Sequence, residues 1–364
     1  MGAGATVAMA VERRSTTQKV SHAAANAHSP ALVFLAAGPA QSSILEQLAR
    51  SPFAIIAVDR NAAAPGFAFA DERIIASIAD AALIEASLVH LTRRYEFRGV
   101  LSGSHGDALV TAARLARTLG VSATDESVIQ IVRDKVAFSA ACESLGCQVP
   151  RRGVARACDD VAWHTLAYPL VIRPTKTVVG KDGILKVHDP HEAAARCGEA
   201  LRRSASLEVE LVEYVSGTDV VVVGAIGADE PHVLTLVDEC NRFDERGLLR
   251  GDGLRVPSVY VGTPLWDRIA AFARALVSGL GLRHTPFALA LRVDQNGQPW
   301  PIEMHVQLGG DALYDGLLSV SSGVDVAALV ASIACGEQAA GPSLYFRPAR
   351  TVASASGTWQ VLQE

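Results

Sequence analysis

Short apolar runs and helical patterns alternate along the first third of the chain. Residues 31–37 and 53–58 are apolar runs of strand length, and each is followed by turn or polar residues. Runs of this kind are typical of buried parallel strands. Further strands are expected at 74–75 and 99–102, with helices at 43–50, 80–94 and 108–119. Strands that alternate with helices predict a doubly wound parallel sheet, and so an α/β domain.

The pattern changes after about residue 150. Apolar and polar residues alternate within five short runs, at 170–173, 183–187, 208–214, 219–226 and 232–238. This alternation predicts antiparallel strands with one face exposed to solvent. The polar, glycine-rich segment 241–256 is predicted to be a long loop, and 264–280 has helical spacing. The chain therefore combines an α/β domain with an α+β part.

An Asn-Gly pair predicts a hairpin between the apolar runs 287–293 and 300–305. Asn296-Gly297 is a strong hairpin signal because both central residues of the favoured two-residue turn take positive φ. A two-residue turn centred there places Ala290 opposite Glu303. The other facing pairs are then Ala288 with His305 and Arg292 with Pro301.

This register sorts the hairpin's side chains onto two faces. One face is apolar, and the other carries Arg292, Glu303, His305 and, two residues further, Gln307. The polar run leads into the glycine-rich segment 308–311, where backbone is able to approach a ligand closely. We therefore expect the polar face to bind a ligand.

Composition and charge narrow the class of protein. Hydrophobic residues make up 49% and charged residues 20% of the 364 residues, as in ordinary globular proteins. The formal net charge is −5 without a dense Lys/Arg cluster, so nucleic acid is not expected as a partner. The six cysteines form no CxxC pair or zinc-finger spacing, which favours free thiols and a cytoplasmic location. No apolar run approaches the length of a membrane span.

Two other classes of enzyme have weaker support in the first domain. Asp59 lies at a distance from the first strand that suits dinucleotide binding, but residues 37–41 lack the glycines of that motif. Residues 102–107 contain Ser104, His105 and Asp107, but adjacency in sequence does not form a catalytic triad. We interpret this stretch as a loop at the end of a strand.

Four motifs carry a resemblance to a known family. Thr124 is expected to cap a helix, and Asp134-Lys135 opens the next one, which ends in Gly-Cys-Gln-Val-Pro at 146–150. The other motifs are PLVIRP at 169–174, VELVEYVSGTD at 209–219 and IEMHVQLGG at 302–310. In this order and spacing they resemble the motifs of the ATP-grasp superfamily, over roughly residues 31–340.

The resemblance implies a site for ATP and roles for individual residues. Lys135, Arg173 and Lys181 would hold phosphates, with Lys176 a further cation in the glycine-containing segment 175–183. The hinge residues Val212, Glu213, Tyr214 and Val215 would contact adenine. Asp219 would hold the ribose, and Glu303 would bind Mg²⁺.

The metal motif departs from the family pattern. His305 and Gln307 replace the family's Asn and Arg, and Ala290 occupies the position of its other metal carboxylate. One explanation is a rebuilt Mg²⁺ site at Glu303 and His305, helped by Asp238, Glu239 or Asp311. The alternative is that Arg292 neutralises the phosphates in place of one ion.

The function implied by the resemblance is ATP-dependent ligation. ATP would phosphorylate a small carboxylate, an amine would displace the phosphate, and Arg292 or Arg255 would grip the substrate. The alternative is a degenerate relative that binds a nucleotide or a partner, or that catalyses a metal-free reaction. A homodimer is compatible with the family.

The resemblance also divides the chain. We expect a disordered leader at 1–30, an N-terminal α/β domain at 31–122 and linker helices with a small lid domain at 123–212. An antiparallel-sheet domain at 213–340 and a tail of unassigned role at 341–364 complete the chain.

Overall fold

The computed structural model describes residues 11–13, 28–157, 165–175, 181–309, 312–337, 344, 350–355 and 358–363. Most of the predicted leader therefore lies outside the described residues, as do Lys176 and Asp311. Three sheets organise the described part of the chain, with five, four and seven strands.

The first sheet is the predicted parallel sheet. Its strand order is β1-β4-β3-β2-β5, with all neighbours parallel except β1, which pairs antiparallel with β4. A buried core that includes Val33, Ile56 and Leu115 covers one face. The elements are β1 (Val11–Arg13), β2 (Ser29–Leu35), α1 (Ser42–Leu48), β3 (Ala54–Asp59), β4 (Glu72–Ile75), α2 (Ala81–Val89), β5 (Tyr95–Ser102) and α3 (Asp107–Leu119), with short 3₁₀ turns at Pro39–Gln41 and Pro65–Phe69.

Two helices and a small four-stranded antiparallel sheet follow. The sheet order is β6-β9-β7-β8. Helix α6 packs on one face, where its Cys197 shares a buried core with Ile172 and Leu211 of the sheet. We call this unit the lid sheet. The elements are α4 (Glu126–Arg133), α5 (Lys135–Ser144), β6 (Arg152–Ala155), β7 (Leu170–Pro174), β8 (Leu185–Val187), α6 (Pro190–Arg203) and β9 (Val209–Glu213).

The predicted cap of α4 is wrong by one residue. Asp125 is the N-cap, and its carboxylate accepts a hydrogen bond from the Ser127 N–H at 2.8 Å. Thr124 instead donates its hydroxyl to the Arg283 carbonyl at 2.6 Å. A tertiary contact thus takes the hydroxyl that local sequence would assign to the helix.

The third sheet is antiparallel throughout, in the order β14-β13-β10-β11-β12-β15-β16. Its two faces belong to different cores: Val220, Val222 and Leu289 pack with α7, whereas Val221 and Val223 pack on the side of α9 and the first domain. The elements are β10 (Gly217–Ile226), β11 (His232–Phe243), β12 (Leu249–Val256), α7 (Pro264–Gly279), β13 (Thr285–Asp294), β14 (Pro299–His305), a π-helix (Leu313–Leu318), α8 (Ser319–Ser322), α9 (Val326–Ala334), β15 (Arg350–Ala355) and β16 (Thr358–Gln363).

The predicted loop at 241–256 is wrong, because most of it is paired strand. β11 continues to Phe243 and β12 begins at Leu249, and Arg242 pairs with Arg250 at the tip of this hairpin. Apolar and polar side chains alternate poorly in this segment, because Gly251 and Gly253 interrupt the pattern and much of the hairpin tip is exposed. Pairing with a neighbouring strand overrides the weak local preference.

The β13–β14 hairpin has the predicted register at Ala290, which faces Glu303, and at Ala288, which faces His305. The predicted two-residue turn is nevertheless wrong. Gly297 alone has positive φ in this turn, and a hydrogen bond between the Asp294 N–H and the Gln298 carbonyl closes a three-residue loop. Arg292 consequently faces Trp300 rather than Pro301, and a bulge between Ala290 and Leu291 restores the register at Ala290.

Among the described residues, no single helix is long and apolar enough to span a membrane. One bent pair, Leu313–Ser322 with Val326–Ala334, meets the length and composition limits only together, with an angle of 115° between its parts.

Candidate functional site

Helix α5 brings Lys135 onto strand β14, at the polar face of the hairpin. The helix begins at Lys135 because the Asp134 carboxylate caps it, accepting hydrogen bonds from the N–H groups of Val136 and Ala137 at 3.0 Å. Lys135 Nζ lies 3.0 Å from Glu303 Oε2. His305 Nε2 lies 3.4 Å from the other oxygen, Glu303 Oε1. We call these three residues the Lys135 cluster.

Charges within the Lys135 cluster reinforce one another. Burial alone would raise the pKa of the Glu303 carboxyl, but the charges of Lys135 and His305 outweigh it and hold that pKa well below its usual range. Burial would likewise lower the pKa of His305, but the Glu303 carboxylate outweighs it, so the pKa of His305 is raised. The carboxylate therefore favours the protonated form of the imidazole, and the positive charges favour the ionised carboxylate.

The first domain contributes a second histidine to this place. The Leu308 N–H donates to the Ser102 carbonyl at 2.8 Å, which joins the loop after β14 to the loop after β5. Gly309 packs so closely that a Cβ atom there would lie 2.5 Å from the Gly103 carbonyl oxygen. His105 follows in the same loop, and burial and then the charges of His305, Arg133 and Lys135 lower its pKa. Burial and these positive charges therefore favour the neutral form of His105.

Sequence reasoning missed this role of His105. It was interpreted as part of a strand-end loop, and nothing in the local sequence links it to Glu303, which is 198 positions later in the chain. The signal that was available is its position at the carboxyl end of a parallel strand, where α/β proteins commonly bind ligands.

A second polar group surrounds Asp219, which we call the hinge network. Asp219 is buried and accepts two hydrogen bonds from Arg292, from Nε to Oδ1 and from Nη2 to Oδ2, both 2.7 Å long. Arg292 also donates to the Val215 carbonyl at 3.0 Å. Asn241 donates to Asp219 Oδ2 at 2.9 Å, and its own Oδ1 accepts from Lys181 Nζ at 2.6 Å. The predicted ribose acid and the predicted phosphate residue Lys181 thus belong to one network.

Aromatic rings and a second lysine border the hinge network. Lys186 Nζ lies 3.7 Å from the centroid of the Tyr214 ring, and Arg292 Cζ lies 5.1 Å from it. Tyr214 and Phe243 meet edge to face with centroids 6.0 Å apart. Burial and then the charge of Arg292 lower the pKa of Lys186. Lys186 was not among the predicted site residues, because a lysine in an alternating strand resembles an ordinary solvent-facing residue.

The predicted adenine hinge lies where β9 leaves the lid sheet. Val212 pairs with Arg152 and Val171 on the two neighbouring strands. The Glu213 N–H donates to the Arg151 carbonyl and the Tyr214 N–H to the Pro169 carbonyl, at 2.9 and 3.0 Å. The Glu213 carboxylate accepts from the Ala167 N–H at 2.8 Å. Strand pairing therefore uses the N–H groups of Glu213 and Tyr214, and Arg292 uses the carbonyl of Val215.

Arg173 forms a buried ion pair within the lid sheet. Its Nε lies 2.7 Å from Glu210 Oε2, and Glu210 has no exposed surface. The other carboxylate oxygen, Glu210 Oε1, has no hydrogen-bond partner among the described residues. The charge of Arg173 is thus balanced inside the lid sheet, where Glu210 faces it across the strands.

Arg255 lies on the other side of the large sheet. It pairs with Asp238, with Nη2 to Oδ2 at 2.7 Å, and Asp238 also accepts from the Val259 N–H at 3.0 Å. Asp238 faces Val220, which packs with α7, whereas Val221 beside it faces Ala290 on the Glu303 side. The structure therefore does not bring Arg255 or Asp238 to the Lys135 cluster, which corrects the expectation that they contribute to the same site.

A magnesium ion does not fit the Lys135 cluster well. Mg²⁺ prefers six oxygen ligands in octahedral geometry, supplied mainly by carboxylates and water. Glu303 is a single carboxylate whose two oxygens already contact Lys135 and His305, and its facing residue is Ala290. Within the described part of the chain, no three carboxylate, histidine or cysteine side chains converge to hold a metal.

A cavity of about 380 Å³ opens between the start of α5 and the lid sheet. Asp134, Arg156, Thr175 and Glu208 line it together with valine side chains. Asp134 adjoins Lys135, and Thr175 adjoins the segment predicted to cover the phosphates. None of the predicted site residues that the structure describes forms part of the wall of this cavity.

No protein-family model matches the chain. Its structure is similar to an L-amino acid ligase from Bacillus licheniformis, with 16% identity, a TM-score of 0.71 and coverage of 90% of this chain and 80% of that one. It is also similar to N5-carboxyaminoimidazole synthetase from Staphylococcus aureus complexed with ADP, with 15% identity, a TM-score of 0.67 and coverage of 90% and 83%.

A third similar structure is a biotin carboxylase complex with β,γ-ATP from Campylobacter jejuni. It has 14% identity and a TM-score of 0.68, with coverage of 88% of this chain and 75% of that one. At such identities the likeness is one of fold. Together with the order of the four motifs, it establishes that this chain has the ATP-grasp fold.

Proposed function

We propose that this protein is an ATP-dependent ligase that joins a small carboxylate to an amine. The observation that carries the proposal is the Lys135 cluster with neutral His105, at the meeting point of the first domain, α5 and the β13–β14 hairpin. Two of the similar structures are named as complexes with ADP and with β,γ-ATP, and a third is named as an L-amino acid ligase. ATP as the nucleotide and a carbon–nitrogen bond as the product are inferred from this fold.

The reaction has two steps. A carboxylate oxygen of the substrate attacks the γ-phosphorus of ATP, the bond to the β-phosphate oxygen breaks, and ADP leaves. The amine nitrogen then attacks the acyl carbon of the acylphosphate, phosphate leaves with the bonding electrons, and the nitrogen loses a proton. The protein's contribution is positioning and neutralisation of charge.

We assign the phosphate role to cations on three elements. Lys135 has two further N–H donors beyond the one that contacts Glu303, and Lys181 lies at the edge of the hinge network. Lys186 is added to these residues because its ammonium lies beside Tyr214, next to the hinge. For Arg173 to bind phosphate as well, the phosphate must displace Glu210 from one side of the Arg173 guanidinium.

The base and ribose are assigned to the hinge. Tyr214 and the backbone of residues 212–215 adjoin the base, and Asp219 adjoins the ribose. Arg292, the predicted catalytic cation, orients this hinge through Asp219 and Val215 rather than gripping the substrate. His105 is the side chain best suited to accept the proton of the attacking amine, because its pKa is lowered.

The resemblance also implies Mg²⁺, with Glu303 and His305 as its ligands. The contacts of Glu303 do not favour an ion at that position, and neither step above depends on one. The candidate ligand Asp311 lies outside the described residues.

A degenerate nucleotide-binding module is the second candidate function. It is favoured by the hinge network, in which Asp219 is saturated by Arg292 and Asn241 and offers little to a ribose. A module of this kind would bind ATP without releasing ADP in the presence of any carboxylate and amine.

Release of ADP and phosphate from ATP, measured against a panel of amino acids and small carboxylates, tests the ligase. The wild type is compared with Glu303→Ala, Lys135→Met and Asp325→Asn, which alters an exposed pair with Arg50 far from the site. Release that depends on substrate, persists in Asp325→Asn and is lost in the other two variants supports a ligase. ATP binding without release for any pair supports the module, and absence of ATP binding contradicts both.

A homodimer and a cytoplasmic location remain predictions. Sedimentation velocity at several protein concentrations tests the first, and the location of a fluorescent fusion tests the second.

A further inference from the structure

Lys135 occupies the side of Glu303 that a bound cation would need. Its ammonium is 3.0 Å from Glu303 Oε2, and its side chain is only 16% exposed. Two features set this geometry: the Asp134 cap, which fixes the start of α5, and the pairing of β13 with β14, which positions Glu303. A lysine placed by a helix start and held by a carboxylate is a fixed positive charge.

The residue opposite Glu303 explains why one positive charge suffices. Ala290 faces Glu303 across β13 and β14, and Val221 faces Ala290 on the next strand, so neither neighbour adds a negative charge. A divalent ion requires about two carboxylates for neutrality, whereas an ammonium requires one. At this position the charge of Lys135 balances that of Glu303, and His305, on the other carboxylate oxygen, adds positive charge when it is protonated.

Two other cations of the site, Arg292 and His305, are held by different contacts. Arg292 is the alternative cation that the sequence suggests. It donates from Nε and Nη2 to Asp219 and from Nη1 to the Val215 carbonyl. His305 contacts the other carboxylate oxygen of Glu303, Oε1, which leaves Oε2 to Lys135. Lys135 is thus the cation that contacts Glu303 Oε2, and its charge also acts on His105.

We propose that the Lys135 ammonium, held by Glu303, takes the place of a divalent cation at this position, so that the nucleotide phosphates bind without a metal ion there. The proposal rests on the proposed function only for the identity of the ligand, a nucleoside triphosphate. The resemblance implies a metal ion at this motif, so phosphate binding without a metal ion there is a property that the resemblance does not imply.

Calorimetric titration of the full chain with ATP, in excess EDTA and in excess Mg²⁺, is the first test. The dissociation constants in the two buffers are expected to agree within about threefold. Binding that is weaker by about tenfold or more in EDTA would overturn the proposal while leaving ATP binding, and so the proposed function, intact. Absence of binding in both buffers would overturn the two together.

Substitutions at position 290 test the charge argument in the other direction. Ala290→Glu supplies the missing second carboxylate, and Ala290→Gln adds a similar volume without charge. We expect ATP binding by Ala290→Glu to become dependent on Mg²⁺ by about tenfold, and Ala290→Gln to remain independent of it. Equal metal dependence in the two variants would contradict a role for charge at this position.

A third comparison keeps the proposal falsifiable if the variants at 290 fold poorly. Lys135→Met removes the ammonium, and Arg114→Met removes a positive charge from an exposed pair with Glu126. Lys135→Met is expected to weaken ATP binding in EDTA by about tenfold or more, with Arg114→Met unchanged. ATP binding by Lys135→Met at the wild-type level in EDTA would show that the ammonium has no such role.

Discussion

Asp219 on β10 and Arg292 on β13 face each other across two neighbouring strands and form an ion pair with two hydrogen bonds of 2.7 Å. The third contact of Arg292, with the Val215 carbonyl, links the large sheet to the chain that leaves the lid sheet. Both side chains are largely buried, so water contributes little to balancing their charges. The pair therefore ties Val215, just after the lid sheet, to the large sheet.

Removal of one partner of this pair is expected to be costly. Arg292→Met leaves the Asp219 carboxylate buried without its cation, which should lower the free energy of unfolding by about 3–5 kcal/mol. Arg50→Met breaks an exposed pair with Asp325 and is expected to cost less than about 1 kcal/mol. Urea denaturation of both variants measures the two losses in the free energy of unfolding. Similar losses would contradict the expected cost of leaving the Asp219 carboxylate buried without its cation.

Close packing of two glycines should control the position of His105. In Gly309→Ala the new Cβ would lie 2.5 Å from the Gly103 carbonyl oxygen, so the two loops must separate, at a cost of about 1–3 kcal/mol in the free energy of unfolding. In Gly38→Ala the nearest atom is 3.4 Å away, and little change is expected. The same denaturation experiment applies, together with the chemical shifts of His105, which should change in the first variant alone.

The β11–β12 hairpin holds the lid sheet by backbone hydrogen bonds. The Lys186 N–H donates to the Gly247 carbonyl at 2.8 Å, and the Leu249 N–H donates to the Ile184 carbonyl at 3.0 Å. Gly247→Ala introduces a Cβ atom 2.5 Å from the Lys186 carbonyl oxygen. We expect faster hydrogen exchange at the Lys186 and Leu249 amides.

The matched control for that prediction is Gly262→Ala. Both glycines have φ near +70°, so both variants carry the same backbone cost of about 1–2 kcal/mol, but Gly262 has no atom within 4 Å of its added Cβ. Exchange at Lys186 and Leu249 should stay at the wild-type rate in this control. Equal acceleration in both variants would assign the effect to general destabilisation.

Alkaline pH should destabilise the first domain through Tyr95. Burial and then the charge of Glu72 raise the pKa of Tyr95 from 10.0 to about 12. A raised pKa means that the folded state holds the proton more tightly, so this contribution is complete below pH 10 and is lost as pH rises towards 12. The loss amounts to about 3 kcal/mol over two pH units.

Tyr95→Phe isolates this effect because it removes the ionising hydroxyl and keeps the ring. The hydroxyl donates to Glu72 Oε1 at 3.1 Å, so the variant is expected to be less stable at neutral pH. The difference between the two proteins should shrink as pH rises from 10 to 12. A constant difference over that range, measured by denaturation, would contradict the assignment.

The sequence by itself determined the alternating strands and helices of the first domain and the facing of Ala290 and Glu303. Periodicity was sufficient for the parallel strands, because buried strands are continuous apolar runs. The hairpin register was correct at Glu303 for an incomplete reason, since the three-residue loop and the bulge beside Ala290 shift the register in opposite directions. Local chemistry thus predicted the pairing but not the geometry that produces it.

Tertiary structure alone decided which of the predicted residues meet. Lys135 reaches Glu303, which is 168 positions later, because α5 packs on β14, and His105 joins them because two loops approach at Gly103 and Gly309. Arg255 resembled a site residue in sequence, but alternation along β12 places it on the opposite face. Spacing along the chain determines a side chain's direction within its own element, whereas contacts between distant elements depend on how their surfaces pack.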